Sequence, residues 1–429
     1  MRKLLAIAIL LSPLGLFFAC SASKDGDVFN DVGGNGGKSF GGGGSGAGHT
    51  TGGNLGFDAG DTDSGTGATT CVSDPDEDKD QDGFPKTAGD CNDCDPNVNP
   101  NAIEVIAEPG EDGGVPPPAD EDCDGEIDNV PEPCDQGVPL EVMDPIDGAR
   151  ALELCKVSAG PEDWGITQAA WVLPDGSPAP GGNYDLGHGA LTAFGQNVSV
   201  QAGAKMLALS SGSARQPSDP GYQNVGGFDK GYICGHPQGF PKESPACPGV
   251  TTGQPHDGVG LQVTIRVPSN AKGFSFYFDF YTYEWPGWIC SQYNDFFVAL
   301  LDPIPPGQTD GNISFDSQGN PVSVNNAFLE VCGCSGGPPC SAGGKTFTCA
   351  LGDTELLGTG FGPDTGYGDH AATSWLVTKA PIDTDTITMR WGVYDSGDGI
   401  LDTTTLVDNW VWIAAPGTQV GTEPVPNPR

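Results

Sequence analysis

Phe274, Phe276, Phe278 and Phe280 alternate with Ser275, Tyr277, Asp279 and Tyr281, and just upstream Leu261, Val263, Ile265 and Val267 alternate with Gln262, Thr264 and Arg266. A period of two puts successive side chains on opposite faces of an extended chain, so both segments are half-buried strands and not helices. Further strands are predicted around 164–173, 205–209, 295–301, 386–394 and 406–413, with Pro174-Asp175-Gly176 as a turn. One helix is predicted: Asp144 is a good N-cap, Pro145 suits the first helical position, and Ile146, Ala149 and Leu152 recur on one face. Many short strands with little helix make residues 136–415 a mainly β body, a two-sheet β-sandwich of the jelly-roll kind. Residues 416–429 are expected to be a disordered tail.

The chain carries 57 Asp and Glu against 18 Lys and Arg, a net charge of -39. Such a surface repels nucleic acid and anionic headgroups, which excludes both as partners. The excess is concentrated: residues 71–135 hold twenty-one acids and only Lys79 and Lys86. Within that segment Asp74, Asp76, Asp78, Asp80 and Asp82 occupy every second position and are followed by Gly83, where a sharp turn needs positive φ. Hard cations take oxygen ligands in this kind of loop. Counting from Asp78, the twelfth position, where an EF-hand places its closing Glu, is Gly89; the loop is therefore not an EF-hand, although Asp90 can close a variant of it. Asp93, Asp95 and Asn97 follow, and a second acidic knot runs Asp120, Glu121, Asp122, Cys123, Asp124, Gly125, Glu126, Ile127, Asp128. The expected ligands are Asp78, Asp80, Asp82, Asp90, Asp93, Asp95, Asp122, Asp124 and Asp128, and the expected ion is calcium. Copper prefers imidazole and sulfur, and the segment has no His and no Met. Cys91 and Cys94 are spaced as a zinc pair, without a second pair nearby. A plain solvated spacer is the alternative.

Arg2 and Lys3 precede an apolar run, Leu4 to Phe18, broken by Pro13 and ending on the small Ala19: a secretory signal over 1–19, too short to span a bilayer. Residues 20–70, with seventeen glycines from 21 onward, are expected to be a disordered tether. Export makes disulfides the default for the fourteen cysteines. Setting Cys20 aside leaves thirteen, so one stays free or pairs with another chain. Proximity suggests Cys134 with Cys155 and Cys234 with Cys247; Cys332, Cys334, Cys340 and Cys349 allow several pairings.

Three stretches resemble known families. Phe17-Phe18-Ala19-Cys20 is similar to a bacterial lipobox, with Phe17 in place of the usual Leu. The resemblance implies lipid on Cys20, and Ser21 after it implies the outer membrane and display at the cell surface; the alternative is a secreted protein. Asp78-Lys79-Asp80-Gln81-Asp82-Gly83-Phe84, Gly89-Asp90-Cys91-Asn92-Asp93, Pro100-Asn101-Ala102-Ile103-Glu104 and Glu121-Asp122-Cys123-Asp124-Gly125-Glu126-Ile127-Asp128 resemble a metal-binding motif also found in a copper-binding surface protein of methane-oxidising bacteria. That resemblance implies a Cys91–Cys123 disulfide and keeps metal capture, copper included, as the second reading. Cys94 and the Pro/Gly-rich insertion over 108–119 depart from the pattern.

In the body, Asp144-Pro145 with Ala149-Arg150-Ala151-Leu152-Glu153-Leu154-Cys155, Trp164-Gly165, Met206-Leu207-Ala208-Leu209-Ser210-Ser211-Gly212, Glu284-Trp285-Pro286 with Tyr293-Asn294-Asp295-Phe296-Phe297, and Asp395-Ser396-Gly397-Asp398-Gly399-Ile400-Leu401-Asp402 with Asp408-Asn409 resemble the choice-of-anchor L domain of bacterial surface proteins. The resemblance implies surface display and no particular chemistry. From the residues themselves, Glu284, Asn294, Asp295, Asp395, Asp398 and Asp402 sit at strand ends or in Gly-rich turns where a second cation can bind, the alternative being turn capping. Tyr281, Tyr283, Trp285, Trp288 and Tyr293 can stack on a surface polysaccharide or protein ligand, or serve the core. No enzyme is expected. A hydrolase would draw on Ser210 or Ser211 with His188, His236, His256 or His370, or on Asp279 and Glu284 as a glycosidase pair.

Overall fold

Ten principal strands build the body in the computed structural model, which describes residues 71–106, 117–325, 328–362 and 370–429. They are β1 (Gly165–Val172), β2 (His188–Leu191), β3 (Met206–Ser210), β4 (Pro255–Arg266), β5 (Gly273–Thr282), β6 (Phe296–Asp302), β7 (Leu376–Pro381), β8 (Thr386–Ser396), β9 (Thr403–Ile413) and β10 (Gly421–Pro424). One antiparallel sheet has the order β1-β4-β8-β6. The other runs β10-β7-β5-β9-β3-β2, with the two-residue strands Val331–Cys332 and Ala371–Ala372 added beside β5. The predicted signal peptide, Cys20 and the tether lie outside the described residues.

The alternation explains why the two sheets face each other. Val259, Leu261, Val263 and Ile265 of β4 and Met389, Trp391 and Val393 of β8 share one buried cluster with Phe274, Phe276, Phe278 and Phe280 of β5. Rings lock the layers: Phe276 meets Trp391 edge-on at 5.8 Å, Trp391 meets Trp410 at 5.8 Å, and Phe274 stacks on Trp410 at 4.3 Å. Each such side chain, fully buried, stabilises the fold by about 1.5–3 kcal/mol. This is the mainly β sandwich that the alternation predicts.

The second face of β5 departs from expectation. Asp279 and Tyr281 are fully buried rather than solvated, because the short helical turn Thr354–Leu356 brings Glu355 over them. Tyr281 donates to Asp279 Oδ2 at 2.6 Å and Thr373 to its Oδ1 at 3.2 Å. Asp279 thus interacts with Glu355, not with Glu284.

The helix forms where its cap predicts it, over Pro145–Arg150, with the Asp144 carboxylate accepting the Ile146 N–H at 2.9 Å. It lies tight against β1: a Cβ on Gly148 would come within 2.7 Å of the Trp171 ring. The 416–429 segment is not a disordered tail. Its residues 421–424 pair with β7, and the Val425 N–H donates to the Trp375 carbonyl at 2.9 Å; an open sheet edge supplies the partner that the local sequence does not reveal.

Six disulfides staple the described residues: Cys71–Cys94, Cys91–Cys123, Cys134–Cys155, Cys247–Cys290, Cys332–Cys349 and Cys334–Cys340. Cys234 is the free, buried thiol, which overturns the Cys234–Cys247 pairing: Cys247 instead meets Cys290, 43 residues away. The acidic segment is fastened to the turn between β4 and β5. The Asn270 side chain takes the N–H and C=O of Ile103 at 2.9 and 2.8 Å, and Ser269 Oγ donates to Asn99 at 2.9 Å.

Candidate metal centre

With only Val98 and Ala102 as buried apolar side chains among its described residues, the acidic segment is shaped largely by its carboxylates. Asp78 curls the first loop by accepting the N–H of Gln81 at 2.7 Å and of Gly83 at 3.1 Å. Gln81 and Gly83 both have positive φ, 68° and 102°, the second a value that favours glycine strongly. Around this curl, Asp80 Oδ1 accepts from Asp82 N–H (3.3 Å), Asp82 Oδ1 from Phe84 N–H (2.8 Å), Asp90 Oδ1 from Asn92 N–H (2.7 Å) and Asp93 Oδ1 from Lys79 N–H (2.8 Å). In all four residues the other oxygen, Oδ2, is buried and has no hydrogen-bond partner.

The carboxylates gather in two overlapping sets that share Asp80. Asp78, Asp80 and Asp93 offer carboxylate atoms within 4.8 Å of one another, and so do Asp80, Asp82 and Asp90. At 4.8 Å and an effective dielectric constant near 20, each pair of charges repels by roughly 3.5 kcal/mol. Burial, reinforced by neighbouring carboxylates, raises Asp80 and Asp82 above the usual range and takes Asp90 to about 6. Asp93, by contrast, is held below the usual carboxylate range, its burial outweighed in part by the Lys79 N–H and by the Lys86 and Lys79 charges; a bound cation would let the other three stay charged beside it.

The second knot repeats the first. Asp120-Glu121-Asp122-Cys123-Asp124-Gly125 has aspartates at the same three positions as Asp78 to Gly83, positive φ at Cys123 (57°) and Gly125 (94°), and Asp120 Oδ2 accepting the Gly125 N–H at 3.0 Å. Glu104 closes it from outside. Its Oε1 accepts the N–H groups of Glu121 and Asp122 at 2.9 and 3.2 Å, while its Oε2, like Asp128 Oδ1, is buried without a partner. Glu104 forms compact groups with Glu121 and Asp128 and with Asp120 and Asp122. The Cys91–Cys123 disulfide joins the two knots.

Of the nine expected ligands, Asp78, Asp80, Asp82, Asp90 and Asp93 gather in the first knot and Asp122 and Asp128 in the second. Asp95 and Asp124 do not join them. Asp95 caps its own turn by accepting from Asn97, and Asp124 is taken by Glu126 N–H and the Asn129 side chain. Glu104, Glu121 and Asp120 were not among the expected ligands. The aspartate repeat marks Asp120, and Glu104 ends one of the segments that resemble the metal-binding motif. The cysteines spaced for zinc, Cys91 and Cys94, are both in disulfides.

In the body, Glu284, Asn294, Asp295, Asp395 and Asp402 are buried at the sandwich end where β5, β6, β8 and β9 terminate or begin. Asp398 sits on the rim and caps Ile400 N–H at 3.2 Å. Burial, with neighbouring carboxylates adding to it, raises Glu284 and Asp395 far above the carboxylate range; Asp402 is raised too, by burial that the Lys230 charge only partly offsets.

Four of the residues weighed for catalysis, Ser210, Ser211, His188 and His370, are buried among other groups. Ser210 accepts from Thr404 Oγ1 and Ser211 is bonded to Thr403. His188 stacks on Trp171 at 3.9 Å, with burial holding it down at about 3, and His370 Nδ1 lies against the Tyr283 and Trp285 carbonyls. Of the five aromatics considered for ligand stacking, Tyr281, Tyr283 and Trp285 are core residues; Trp288 is 43% exposed and meets Tyr293 edge-on at 4.8 Å.

Among the described residues, no helix is long and apolar enough to cross a membrane. No family model, curated protein or solved structure matches the chain.

Proposed function

We propose that this is an exported calcium-binding surface protein, held at the outer membrane by lipid on Cys20, whose β-sandwich is a binding or adhesion domain. The observation that carries the metal reading is the set of four buried Oδ2 atoms, of Asp80, Asp82, Asp90 and Asp93, each left bare while its sister oxygen is taken by the chain. An unsatisfied buried acceptor costs about 1–3 kcal/mol, more when charged. Four together rival the net stability of an ordinary domain, about 5–15 kcal/mol. Five carboxylates in an irregular loop suit calcium, which tolerates variable geometry and takes six to eight oxygens.

Copper capture is the second reading, and the donor set argues against it. Residues 71–135 contain no His and no Met, and their five cysteines, Cys71, Cys91, Cys94, Cys123 and Cys134, are all oxidised. Six disulfides support an exported location. The exposed Trp288, edge-on to the half-buried Tyr293, supports a polysaccharide or protein ligand on the body. The test is elemental mass spectrometry of the full exported chain from an oxidising host, with thermal unfolding before and after chelation. Whole-number calcium and a lowered midpoint on chelation are expected. Bound copper, or no metal and an unmoved midpoint, refutes the reading.

A further inference from the structure

We propose that the body holds a hard divalent cation of its own, bound by side-chain oxygens of Glu284, Asn294, Asp395 and Asp402 where the two sheets meet at one end of the sandwich. This site is separate from the acidic module and does not depend on it. Glu284 follows β5 and Asp402 precedes β9, both in the larger sheet; Asn294 precedes β6 and Asp395 lies near the end of β8, both in the smaller one. The four residues are 3%, 1%, 2% and 0% exposed. Six of their oxygens, Glu284 Oε2, Asn294 Oδ1 and both carboxylate oxygens of Asp395 and Asp402, are buried with no hydrogen-bond partner.

Several donors around this cluster are spent on other groups. Ser396 N–H and Thr403 Oγ1 both go to Asp295, at 2.9 and 2.7 Å, so Asp295 pins the end of β8 to the start of β9 and is a positioning residue rather than a ligand. The Ser211 hydroxyl, beside Asp395, is on the Thr403 carbonyl at 3.3 Å. Asp257 holds the backbone N–H groups of Lys230 and Tyr232. The buried Lys230 ammonium, whose charge acts on Asp402 and Asp395, gives one N–H to the Ser210 carbonyl at 3.0 Å and none to the Asp402 carboxylate.

Lys230 offsets only part of the carboxylate charge; the remaining acceptors are satisfied either by protons on the carboxyls or by a divalent cation, and a cation lets the carboxylates stay charged. Close backbone approach completes the enclosure: a Cβ on Gly212 would fall 1.7 Å from Asp402 Oδ2. The body's carboxylates do not form triads within 4.8 Å as the module's do. A cation with oxygens at about 2.3–2.6 Å therefore draws them inward by side-chain rotation. Its binding would fix the loop that presents Tyr293, which adjoins Asn294 and packs against Gly397.

Terbium replaces calcium in oxygen sites and emits when a neighbouring indole or phenol absorbs. Trp285 and Tyr293 adjoin this site in sequence, whereas residues 71–135 contain no Trp and no Tyr; because Lys156, whose charge acts on Asp122, also lies over the Trp164 ring, it is the loss of emission in a body variant that assigns the signal to the body site. On the full chain, emission is expected to saturate at one terbium and to be displaced by calcium. It should fall at least tenfold in Asp395→Asn and stay within twofold of wild type in an Asp80→Asn, Asp90→Asn module variant. The calcium count of Asp395→Asn should drop by one. Absence of sensitised emission from the wild type, which needs no variant to interpret, overturns the proposal. So does an Asp395→Asn protein with native near-ultraviolet circular dichroism that keeps its emission and calcium count, the signature of a protonated carboxyl network. If Asp395→Asn does not fold, Glu284→Gln at the opposite edge of the site is read by the same criteria.

Discussion

Substituting Gly83 isolates the backbone of the first metal loop from its ligands. Gly83 sits at φ +102° with no atom within 4 Å of where a Cβ would go, so Gly83→Ala meets no steric obstacle and removes no contact. What remains is the strain of an L-residue in a left-handed conformation, about 1–2 kcal/mol. The loop's curl rests on two hydrogen bonds to Asp78 and is opposed by carboxylate repulsion, so without a cation the variant relaxes and the strain falls on binding. Calcium affinity of the loop should weaken by about 5- to 30-fold, at 1.4 kcal/mol per factor of ten. Competition against a chromophoric chelator on the full chain measures it. Gly137→Ala serves as control, because Gly137 has equal room and no left-handed φ; its affinity should equal wild type. Wild-type affinity in Gly83→Ala would refute the claim that this loop wraps the ion.

Phe276→Ala should cost about 3–5 kcal/mol, seen as a lower denaturant midpoint, because Phe276 is fully buried between Trp391 and Phe278. Replacing Cys91 and Cys123 together by Ser opens a crosslink of sequence separation 32 and should cost about 3–4 kcal/mol on the chain-entropy model, with limited proteolysis cutting first within 72–122. Glu153 is raised to about 7, by burial first and then by Asp135. Its folded value lies above its unfolded one, so the folded state holds the extra proton and stability falls as pH rises from about 4.5 to 7. Melting at fixed calcium should show that fall, and Glu153→Gln should flatten it.

Much of the body was legible because alternation and capping are local. Phe274 to Phe280 declare a strand, and Asp144-Pro145 declares a helix start. Legibility ended where a distant segment decided the outcome. Asp279 reads as a solvated strand residue until Glu355, far along the chain, covers it. The Cys247–Cys290 bond joins residues that only folding brings together, and strand β10 exists because β7 leaves an edge open. In the metal module the alternating aspartates revealed the first knot. Glu104 was visible in a motif segment but not as a ligand, because its role depends on chain closure onto the second knot, and Asp95 and Asp124 look like ligands in sequence yet spend their oxygens on nearby donors. The body's buried acids were visible as residues but not as a pocket, since burial from both sheets is a property of the assembled sandwich.

The order of the disulfides also sets how the chain would bear load. Tension applied at Cys71 has a short covalent route to the body: across to Cys94, back along the chain to Cys91, across to Cys123, and on through Cys134 to Cys155 beside the helix. Residues 72–90 and 95–122, which carry every ligand of the two knots except Asp93 and Asp128, lie off that route. A protein pulled from its amino-terminal side would transmit force through sulfur while most of the ion-binding backbone stays slack. Reduction would reroute the pull directly through the loops.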